Sequence, residues 1–441
     1  MMTIQASRRV RYLLPLLLVL AAVPARADDA KRVAVGTLKS PDASVIRREA
    51  IGKEWLPIKQ GEEVFTKDLV LGVPYAEISL KSGVELDLVD NLDRRAPLPL
   101  IETAVILHEN PARELDVTLD RGWISFANEK KEGEAKVDVR FRDQVWTITL
   151  LEPKARVSME VFGRWHKGAH FTTKPGPEDV PGLDVVLLVL EGKVMVKTDC
   201  EHYKMQAPPG PALLHWDNVD GCDKQPAQLD KLPPWAAPAD FAVSPEGVKR
   251  KVAVELLRKI ILGKGVDHAI SVFVNSPDPK MRQAAIRIMG ATDNLERLGT
   301  ALLTTKDMEL WDTAVLTLRH WIGRAPGQDQ LLYKQLIEKA KFEPGQAAIV
   351  MHLLHSFGDE ITSCPECYEM LIEYLKHDKM AIRGLAQWHL QRLAPAGRKI
   401  QFNPAGSKEE WGKAYKAWKE LIPEGKLPPV IEPEKDDKDD K

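Results

Sequence analysis

The stretch that most constrains the fold is Val185–Val196, which reads VVLLVLEGKVMV. Two short runs of β-branched residues and leucine flank Gly192, and this pattern is typical of a tight β-hairpin. A second strand–glycine–strand pattern is predicted at Leu119–Phe126, which reads LDRGWISF around Gly122. The N-terminal half of the chain is therefore predicted to be a β domain of repeated strand–glycine–strand units.

Apolar and polar residues alternate strictly along Ala76–Leu80 and Val84–Leu88. Such alternation predicts strands with one face in a core and one face in water. Glycine and proline interrupt the pattern roughly every 8–12 residues, which favours a β-sandwich or β-roll over βαβ units. Further strands are predicted at Val33–Leu38, Thr103–His108, Glu114–Leu119, Trp123–Ala127, Ala135–Phe141, Gln144–Leu150, Ala155–Phe162, His170–Thr173 and Ala212–Trp216.

From Pro245 onward the apolar period becomes that of a helix. Short polar turns that contain Asp278, Asp307 and Asp378 each precede an amphipathic segment, at intervals of 29 and 71 positions. Each unit is predicted to be a helix, an Asp-bearing turn and a second helix that the aspartate caps. Ser407 and Glu410 predict a capping box at the start of a final helix.

The first residues predict export. An arginine-rich start precedes the apolar run Leu13–Val23, and Ala25-Arg26-Ala27 supplies small residues for a signal peptidase, with Asp28 as the mature N-terminus. The apolar run is shorter than the ~20 residues that span a bilayer, and no later segment approaches a span. The mature protein is expected to be secreted or periplasmic.

The two halves each resemble a known family. Gln60–Glu62, Gly83, Leu119–Gly122 and Val189–Val194 occur in the order seen in a FecR-type domain, the periplasmic β domain of iron-citrate signalling regulators, over about residues 33–216. The helical units resemble HEAT-like or armadillo-like repeats over about 246–395, and such repeats stack into an α-solenoid with a concave surface. The signalling regulators carry a sigma-binding segment and a membrane helix ahead of this domain. In this sequence a predicted signal peptide stands in that place, so transmembrane signalling is not expected.

The predicted fold class is therefore a multidomain β plus α protein, an all-β sandwich or β-roll followed by an α-solenoid. The expected organisation is a signal peptide at 1–27, a FecR-like β domain at 28–220, a proline-rich linker at 221–244, a helical repeat domain at 245–422 and an extended, disordered charged tail at 423–441.

Export also makes the four cysteines informative, because disulfides persist in oxidising compartments. Cys200 lies near Cys222, and Cys364 lies near Cys367, so two local disulfides are predicted.

The second pair has other possible chemistry. His352, His355, Cys364 and Cys367 have the spacing H-x2-H-x8-C-x2-C, and Zn²⁺ accepts these ligand types. A redox dithiol also has the C-x2-C spacing. Against a zinc site, the two histidines fall in the apolar segment MHLLHSF, where a three-residue spacing also describes a helix face. Haem attachment is excluded because Tyr368 stands where that motif needs histidine.

Other residues that suggest chemistry have simpler interpretations. The sequence WHKGAH at Trp165–His170 contains imidazoles but no carboxylate at a recognisable spacing, which favours a turn between strands. The tryptophans of the β half, Trp55, Trp123, Trp146 and Trp165, are suited to stacking on sugars, but packing in the core is the favoured interpretation.

The functional prediction is a non-enzymatic binding or scaffold module of the bacterial envelope, with no cofactor and no metal, that binds a partner protein. Nucleophile elbows, phosphate-binding glycine loops and HExxH motifs are absent from the sequence. The 62 basic and 64 acidic residues leave no positive surplus for binding nucleic acid. Two alternatives stay open: a zinc- or thiol-dependent site at the four residues above, and cell-wall polysaccharide binding by the β domain.

Overall fold

Strands occur along the chain as far as Leu229, and helices occur from Pro245 onward. The predicted combination of a β-rich N-terminal region and a helical C-terminal region is confirmed. The computed structural model describes residues 32–49, 54–74, 76–90, 102–199, 201–233, 236, 245–355 and 357–429. The predicted signal peptide, its cleavage site at Ala27 and Asp28, Cys200 and the last part of the charged tail lie outside the described residues.

The described strands join into one hydrogen-bonded sheet of 18 strands. They are β1 (Ala34–Leu38), β2 (Val45–Arg48), β3 (Leu56–Pro57), β4 (Glu63–Phe65), β5 (Leu69–Gly72), β6 (Ala76–Leu80), β7 (Val84–Val89), β8 (Ala104–His108), β9 (Leu115–Asn128), β10 (Ala135–Phe141), β11 (Gln144–Leu150), β12 (Arg156–Arg164), β13 (Gly182–Glu191), β14 (Lys193–Lys197), β15 (His202–Gln206), β16 (Gly210–Asp217), β17 (Gly221–Cys222) and β18 (Ala227–Leu229).

The long strand β9 divides the sheet into two halves. Half 1 has the order β3, β2, β5, β8, β9, β10, β11, β14 and β15. Half 2 has the order β4, β1, β6, β7, β9, β12, β13, β16 and β18, with β17 also on β16. Strand β9 pairs in half 1 up to Arg121 and in half 2 from Gly122 onward.

Gly122 is the corner of β9. Its φ of +83° is a conformation that L-residues with a side chain rarely adopt. A Cβ there would lie 2.6 Å from Thr103 Cα, so the position has no space for a side chain. The sequence pattern at Leu119–Phe126 thus predicts the strands correctly, but they are two parts of one bent strand.

The predicted hairpin at Val185–Val196 is wrong in its pairing. Strand β13 pairs with β12 and β16 in half 2, and β14 pairs with β11 and β15 in half 1. Gly192, with φ of +72°, carries the chain across from one half to the other. A glycine with positive φ signals a sharp change of direction, and that signal does not say which strand the chain pairs with next.

The two halves share a hydrophobic core. Val70 and Ile148 of half 1 and Leu86 and Met159 of half 2 belong to one buried cluster, as their alternating patterns predict. The predicted core role of Trp55, Trp123 and Trp146 is also confirmed, because all three are buried. The segment His170–Thr173, predicted to be a strand, is a loop after β12.

Helices make up the C-terminal region. They are α1 (Pro245–Lys264), α2 (Val266–Val274), α3 (Pro279–Ala291), α4 (Leu295–Thr304), α5 (Met308–Gly323), α6 (Gln328–Glu338), α7 (Pro344–Leu354), α8 (Asp359–Thr362), α9 (Pro365–Tyr374), α10 (Met380–Leu393) and α11 (Lys408–Leu421). Helix α3 packs on α2 and α5, and α10 packs on α7 and α9. None of the described helices has both the length and the apolar character that a membrane span requires.

The helix caps follow the sequence with one exception. Asp278 caps α3 and Asp307 caps α5 through backbone N–H groups of the first turn, and Ser407 with Glu410 forms the predicted capping box of α11. Asp378 does not cap α10, because that helix begins one residue later, after Lys379. The amide of Lys379 donates to Nδ1 of His377, at 3.0 Å.

The β and helical regions share a second core, and residues from Val33 onward form one compact unit. Ile46, Leu71 and Phe171 from the β region pack in the same buried cluster as residues of α1 to α7 and α9 to α11, such as Phe273. Within the predicted linker at 221–244, the short strands β17 and β18 pair with β16. The structure thus connects the two regions through packed side chains as well as through the chain.

We expect Gly122→Ala to destabilise the protein far more than Gly133→Ala does. Both glycines have φ of +83°, but a Cβ at Gly133 would meet nothing within 4 Å. The left-handed conformation alone costs about 1–2 kcal/mol for alanine, and the clash with Thr103 adds about 1–3 kcal/mol. Equilibrium unfolding in urea measures both variants. Equal free energies of unfolding would contradict the assignment of Gly122 as a packed corner.

Candidate functional site

The seam between the β and helical regions depends on a close contact between two backbones. Gly163 in β12 lies against Gly323, the last residue of α5. A Cβ on Gly163 would lie 2.6 Å from the carbonyl oxygen of Gly323, and a Cβ on Gly323 would lie 2.8 Å from Cα of Arg164. Because neither position has space for a side chain, strand β12 and helix α5 meet at backbone distance.

Hydrogen bonds fix the loop after β12 on the helices. Trp165 Nε1 donates to the carbonyl of Ile322 at 3.0 Å, and Gln330 Nε2 donates to the carbonyl of Thr172 at 2.8 Å. The interpretation of Trp165–His170 as a turn agrees with the loop seen there. The turn lies between strands β12 and β13, as the prediction placed it, and its loop also bonds the helices.

A buried ionic network lies next to this contact. Glu102 and His320 form an ion pair, and Arg324 Nη1 bonds Asp293 Oδ1 at 3.0 Å. Burial acts to raise the pKa of Glu102, but the charges of His320, Arg324 and Arg121 together hold it below its usual range. Burial lowers the pKa of Arg324 to about 10, and the nearby Arg121 charge adds to this effect. The network joins β9 and the residues just before β8 to the C-terminal end of α5.

A cavity of about 590 Å³ opens beside the seam, where the end of β12 meets α5, α7 and α10. We call it the basic cavity. Among the described residues that line it there is no aspartate or glutamate. The lining residues are Phe162, Gly163, Arg164, Trp165, His166, Lys167, Leu316, Arg319, His320, Leu354, His355, Trp388 and Arg392.

Two guanidinium groups lie beside the ring of Trp388 in this cavity. Cζ of Arg392 is 3.5 Å from the ring centroid, and Cζ of Arg319 is 5.0 Å from it. Nη1 of Arg319 donates to the carbonyls of Leu354 and His355, at 2.8 and 2.7 Å. These two carbonyls lie at the C-terminal end of α7, where the helix dipole places partial negative charge.

The positive charges of this pair are held at an energetic cost. Burial lowers the pKa of Arg319 to about 10, and the charge of Arg392 lowers it further. Burial also lowers the pKa of Arg392, while Asp312 acts in the opposite direction. The aromatic ring offsets part of the cost through cation–π contacts. An anion between the two groups would offset more.

The cations at the rim are already neutralised by acids outside the cavity. Arg164 Nε bonds Asp184 Oδ2 at 2.9 Å, and Lys167 is ion-paired with Asp359. The other two cations that line the basic cavity are Arg319, which bonds the carbonyls at the end of α7, and Arg392, whose charge Asp312 partly offsets. Neither residue was singled out from the sequence, because their charges stand in amphipathic helices that resemble any solvated helix face.

The predicted zinc ligands do not lie in one place. His352, Cys364 and Cys367 line a second cavity of about 490 Å³, here called the thiol cavity, together with His170. His355 lines the basic cavity instead. Its ring packs against Trp165 with centroids 4.8 Å apart, and burial lowers its pKa to about 4. No local pattern in the sequence places His170 near His352.

The two cysteines of the C-x2-C motif have different environments. Cys364 is the N-cap residue of α9 and is exposed, whereas Cys367 in the first turn is buried. Burial, and the nearby Cys364, raise the pKa of the Cys367 thiol to about 11. The disulfide between Cys364 and Cys367 stays a prediction, as does the disulfide between Cys222 and Cys200.

Three carboxylates, Glu77, Glu85 and Asp87, lie close enough together to hold a metal ion. Two cations already neutralise them: Lys39 contacts both glutamates, and Arg156 contacts Glu85 and Asp87. Burial raises the pKa of Asp87 to about 6, although Arg156 opposes this. The cluster is accounted for as an ion-pair network on the face of half 2.

Acidification is expected to destabilise the helical region through His389. Its Nε2 lies 2.6 Å from the carbonyl of Leu353, and burial lowers its pKa to about 3. The unfolded chain, with a histidine pKa of about 6.5, binds this proton first, so the free energy of unfolding falls as the pH drops below about 6.5. The slope approaches about 1.4 kcal/mol per pH unit for this one group.

Unfolding in urea at pH 7 and pH 5 measures the effect. His389→Gln retains a donor for Leu353 and should lose less stability between the two pH values than the wild type does. The exposed His268 provides the matched control, since His268→Gln should show the wild-type slope. If His389→Gln and His268→Gln respond alike to pH, the role of His389 is wrong.

Comparisons with known proteins add no family to this picture. No protein-family model, curated protein or solved structure matches the chain. The FecR-like and HEAT-like resemblances therefore stand on the sequence motifs alone.

Proposed function

We propose that this chain is an exported, non-enzymatic binding module of the bacterial envelope, and that its basic cavity binds a carboxylate-bearing segment of a partner protein. The observation that carries the proposal is the pair of guanidiniums, Arg319 and Arg392, beside Trp388 at the seam of the two regions. The predicted signal peptide supports the location.

The charges favour an anionic ligand. Two guanidiniums close together repel each other, and burial removes part of their hydration. A carboxylate placed between them removes the repulsion and accepts charge-assisted hydrogen bonds in the forked geometry that arginine provides. The gain is larger than on an open surface, because the cavity is partly shielded from water.

A polar group of the cavity supports the same conclusion. Trp388 is only 7% exposed, and its indole N–H has no hydrogen-bond partner among the described residues. A buried donor without an acceptor costs free energy, and because this nitrogen has almost no accessible surface, a ligand oxygen would gain by reaching it only if the Trp388 ring turns toward the cavity. The neighbouring rings of Trp165 and Phe162 offer apolar contact to the rest of a peptide.

The seam also makes the cavity rigid before any ligand arrives. The contact of Gly163 with Gly323 and the bond from Trp165 to Ile322 hold the β12 wall against α5. A preformed site spends little free energy on ordering when it binds, and the affinity improves accordingly. A scaffold role suits two regions that are packed together in this way.

The finer description of the architecture belongs to the same proposal. The β region is proposed to be a FecR-like sandwich, and the helical region a HEAT-like array. The division of the sheet by β9 into two halves around one core supports the first. The aspartate-capped helices α3 and α5 support the second.

Binding of an acidic peptide tests the proposal. We expect an eight-residue polyglutamate peptide to bind the full chain at low salt, and more weakly at high salt because salt screens exposed charges. Arg392→Gln should weaken binding by at least about tenfold, the equivalent of one charge-assisted hydrogen bond. Isothermal titration calorimetry measures the dissociation constants.

Arg297→Gln is the matched control. Arg297 is a partly exposed arginine of α4 that contacts Asp267 and does not line the basic cavity. Equal affinities of Arg392→Gln and wild type would overturn the proposal. Binding of an anionic cell-wall oligosaccharide in place of the peptide would favour the polysaccharide alternative. Turnover of a substrate that single substitutions abolish would show that the protein is an enzyme.

A further inference from the structure

The thiol cavity brings together four side chains of the types that bind soft metal ions. His170 comes from the loop after β12, His352 from α7, and Cys364 and Cys367 from the start of α9. The remaining lining is mostly apolar, with Ile349, Leu353, Phe357, Met370 and Tyr374, and Glu366 is its one acidic member among the described residues. This site shares no residue with the basic cavity.

The geometry explains why His355 is not part of this set. His352 lies within α7, but His355 is the C-cap residue, with an extended backbone at ψ of 179°. The helix has ended there, so the three-residue spacing no longer places both rings on one face. His355 is buried between Trp165 and the neighbourhood of Asp329, whose Oδ2 is 3.9 Å from Nε2.

The histidine whose ring lies near His352 is His170, and not His355. The ring centroids of His170 and His352 are 6.4 Å apart. Two imidazoles on one tetrahedral zinc ion have centroids roughly 5 Å apart, given Zn–N distances of about 2.0–2.1 Å. In this structure no three of the four ligand atoms lie within 4.8 Å of one another. His170, His352 and Cys364 are exposed, so their side chains have room to rotate toward a shared ion. Cys367 is buried and is the fixed member of the set.

The start of α9 suits thiolate ligands. Cys364 is the N-cap residue and Cys367 the third residue of the helix, separated by two positions as in structural zinc sites. The positive end of the helix dipole stabilises negative sulfur. A thiol binds a metal ion as the thiolate, so zinc binding at these cysteines should release protons.

We propose that His170, His352, Cys364 and Cys367 form a zinc-binding site that ties the loop after β12 to helices α7 and α9. Zn²⁺ fits two imidazoles and two thiolates in tetrahedral geometry. The site spans the seam, so the ion would link the β region to the helical region. It is independent of the basic cavity and of what that cavity binds.

Zinc binding by the reduced full chain tests the proposal. The protein is treated with a chelator and a phosphine reductant, and Zn²⁺ is then titrated in competition with a chromogenic chelator. We expect one equivalent to bind. His170→Ala and Cys364→Ser should each weaken the affinity by about 100-fold or more, since even outer-shell partners of a metal are worth 10–100-fold. Both positions are exposed, so both variants should fold.

Two control variants distinguish this site from zinc binding by histidines elsewhere in the chain. His268→Ala removes an exposed histidine of α2 and should leave the affinity unchanged. His355→Gln, checked by circular dichroism, should also leave it unchanged, in contrast to the ligand set predicted from the sequence. Co²⁺ in place of Zn²⁺ should give thiolate-to-cobalt charge-transfer absorption that Cys364→Ser reduces.

Several results would overturn the proposal. Failure of the reduced protein to bind stoichiometric zinc would do so. So would unchanged affinity in His170→Ala, or equal losses in His170→Ala and His268→Ala. None of these results depends on whether the basic cavity binds an acidic peptide.

Discussion

The backbone contact between Gly163 and Gly323 is the constraint on which the seam of this protein depends. A Cβ on either residue would clash with the backbone across the contact, so strand β12 and helix α5 approach more closely than side chains would permit. That approach places the loop after β12 over the helices. Residues Trp165 to His170 then reach both cavities, so the same contact supports the basic cavity and the thiol cavity.

Electrostatics at the seam follow from the same packing. Among the ionisable groups buried there, Glu102 is paired with His320, whereas Arg319 bonds the carbonyls at the end of α7 and lies close to the like charge of Arg392. The paired groups contribute to structure. The like-charged pair is less stable by itself, and a site of this kind is suited to binding an opposite charge. The opposite charges of Glu102 and His320 therefore mark a structural network, whereas the like charges of Arg319 and Arg392 mark the candidate binding site.

The sequence predicts local structure well where the cause is local. Strands β10 and β11 have the predicted bounds, because alternation and flanking turns define them. Asp278 and Asp307 cap the predicted helices, since capping involves only the next few residues. Asp378 does not cap α10, because the first turn of that helix is displaced by one residue.

The sequence cannot predict what long-range packing decides. Gly192 predicts a bend in the chain. The strands that β14 then pairs with, β11 and β15, belong to the other half of the sheet, and the local sequence does not specify them. The proximity of His170 to His352, which are 182 positions apart in the sequence, likewise depends on the seam. The fold class and the strand pattern were therefore accessible, whereas the composition of both cavities was not.

The crossing of the chain at Gly122 and again at Gly192 has a consequence for how the β region opens. Strand β9 has hydrogen-bonded neighbours in both halves of the sheet, and the chain passes directly from β13 in one half to β14 in the other. Neither half can detach as a separate piece without breaking the ladder of the other. Local openings that let amide protons exchange with solvent should therefore be confined to edge strands, while the central strands exchange only when the whole region unfolds.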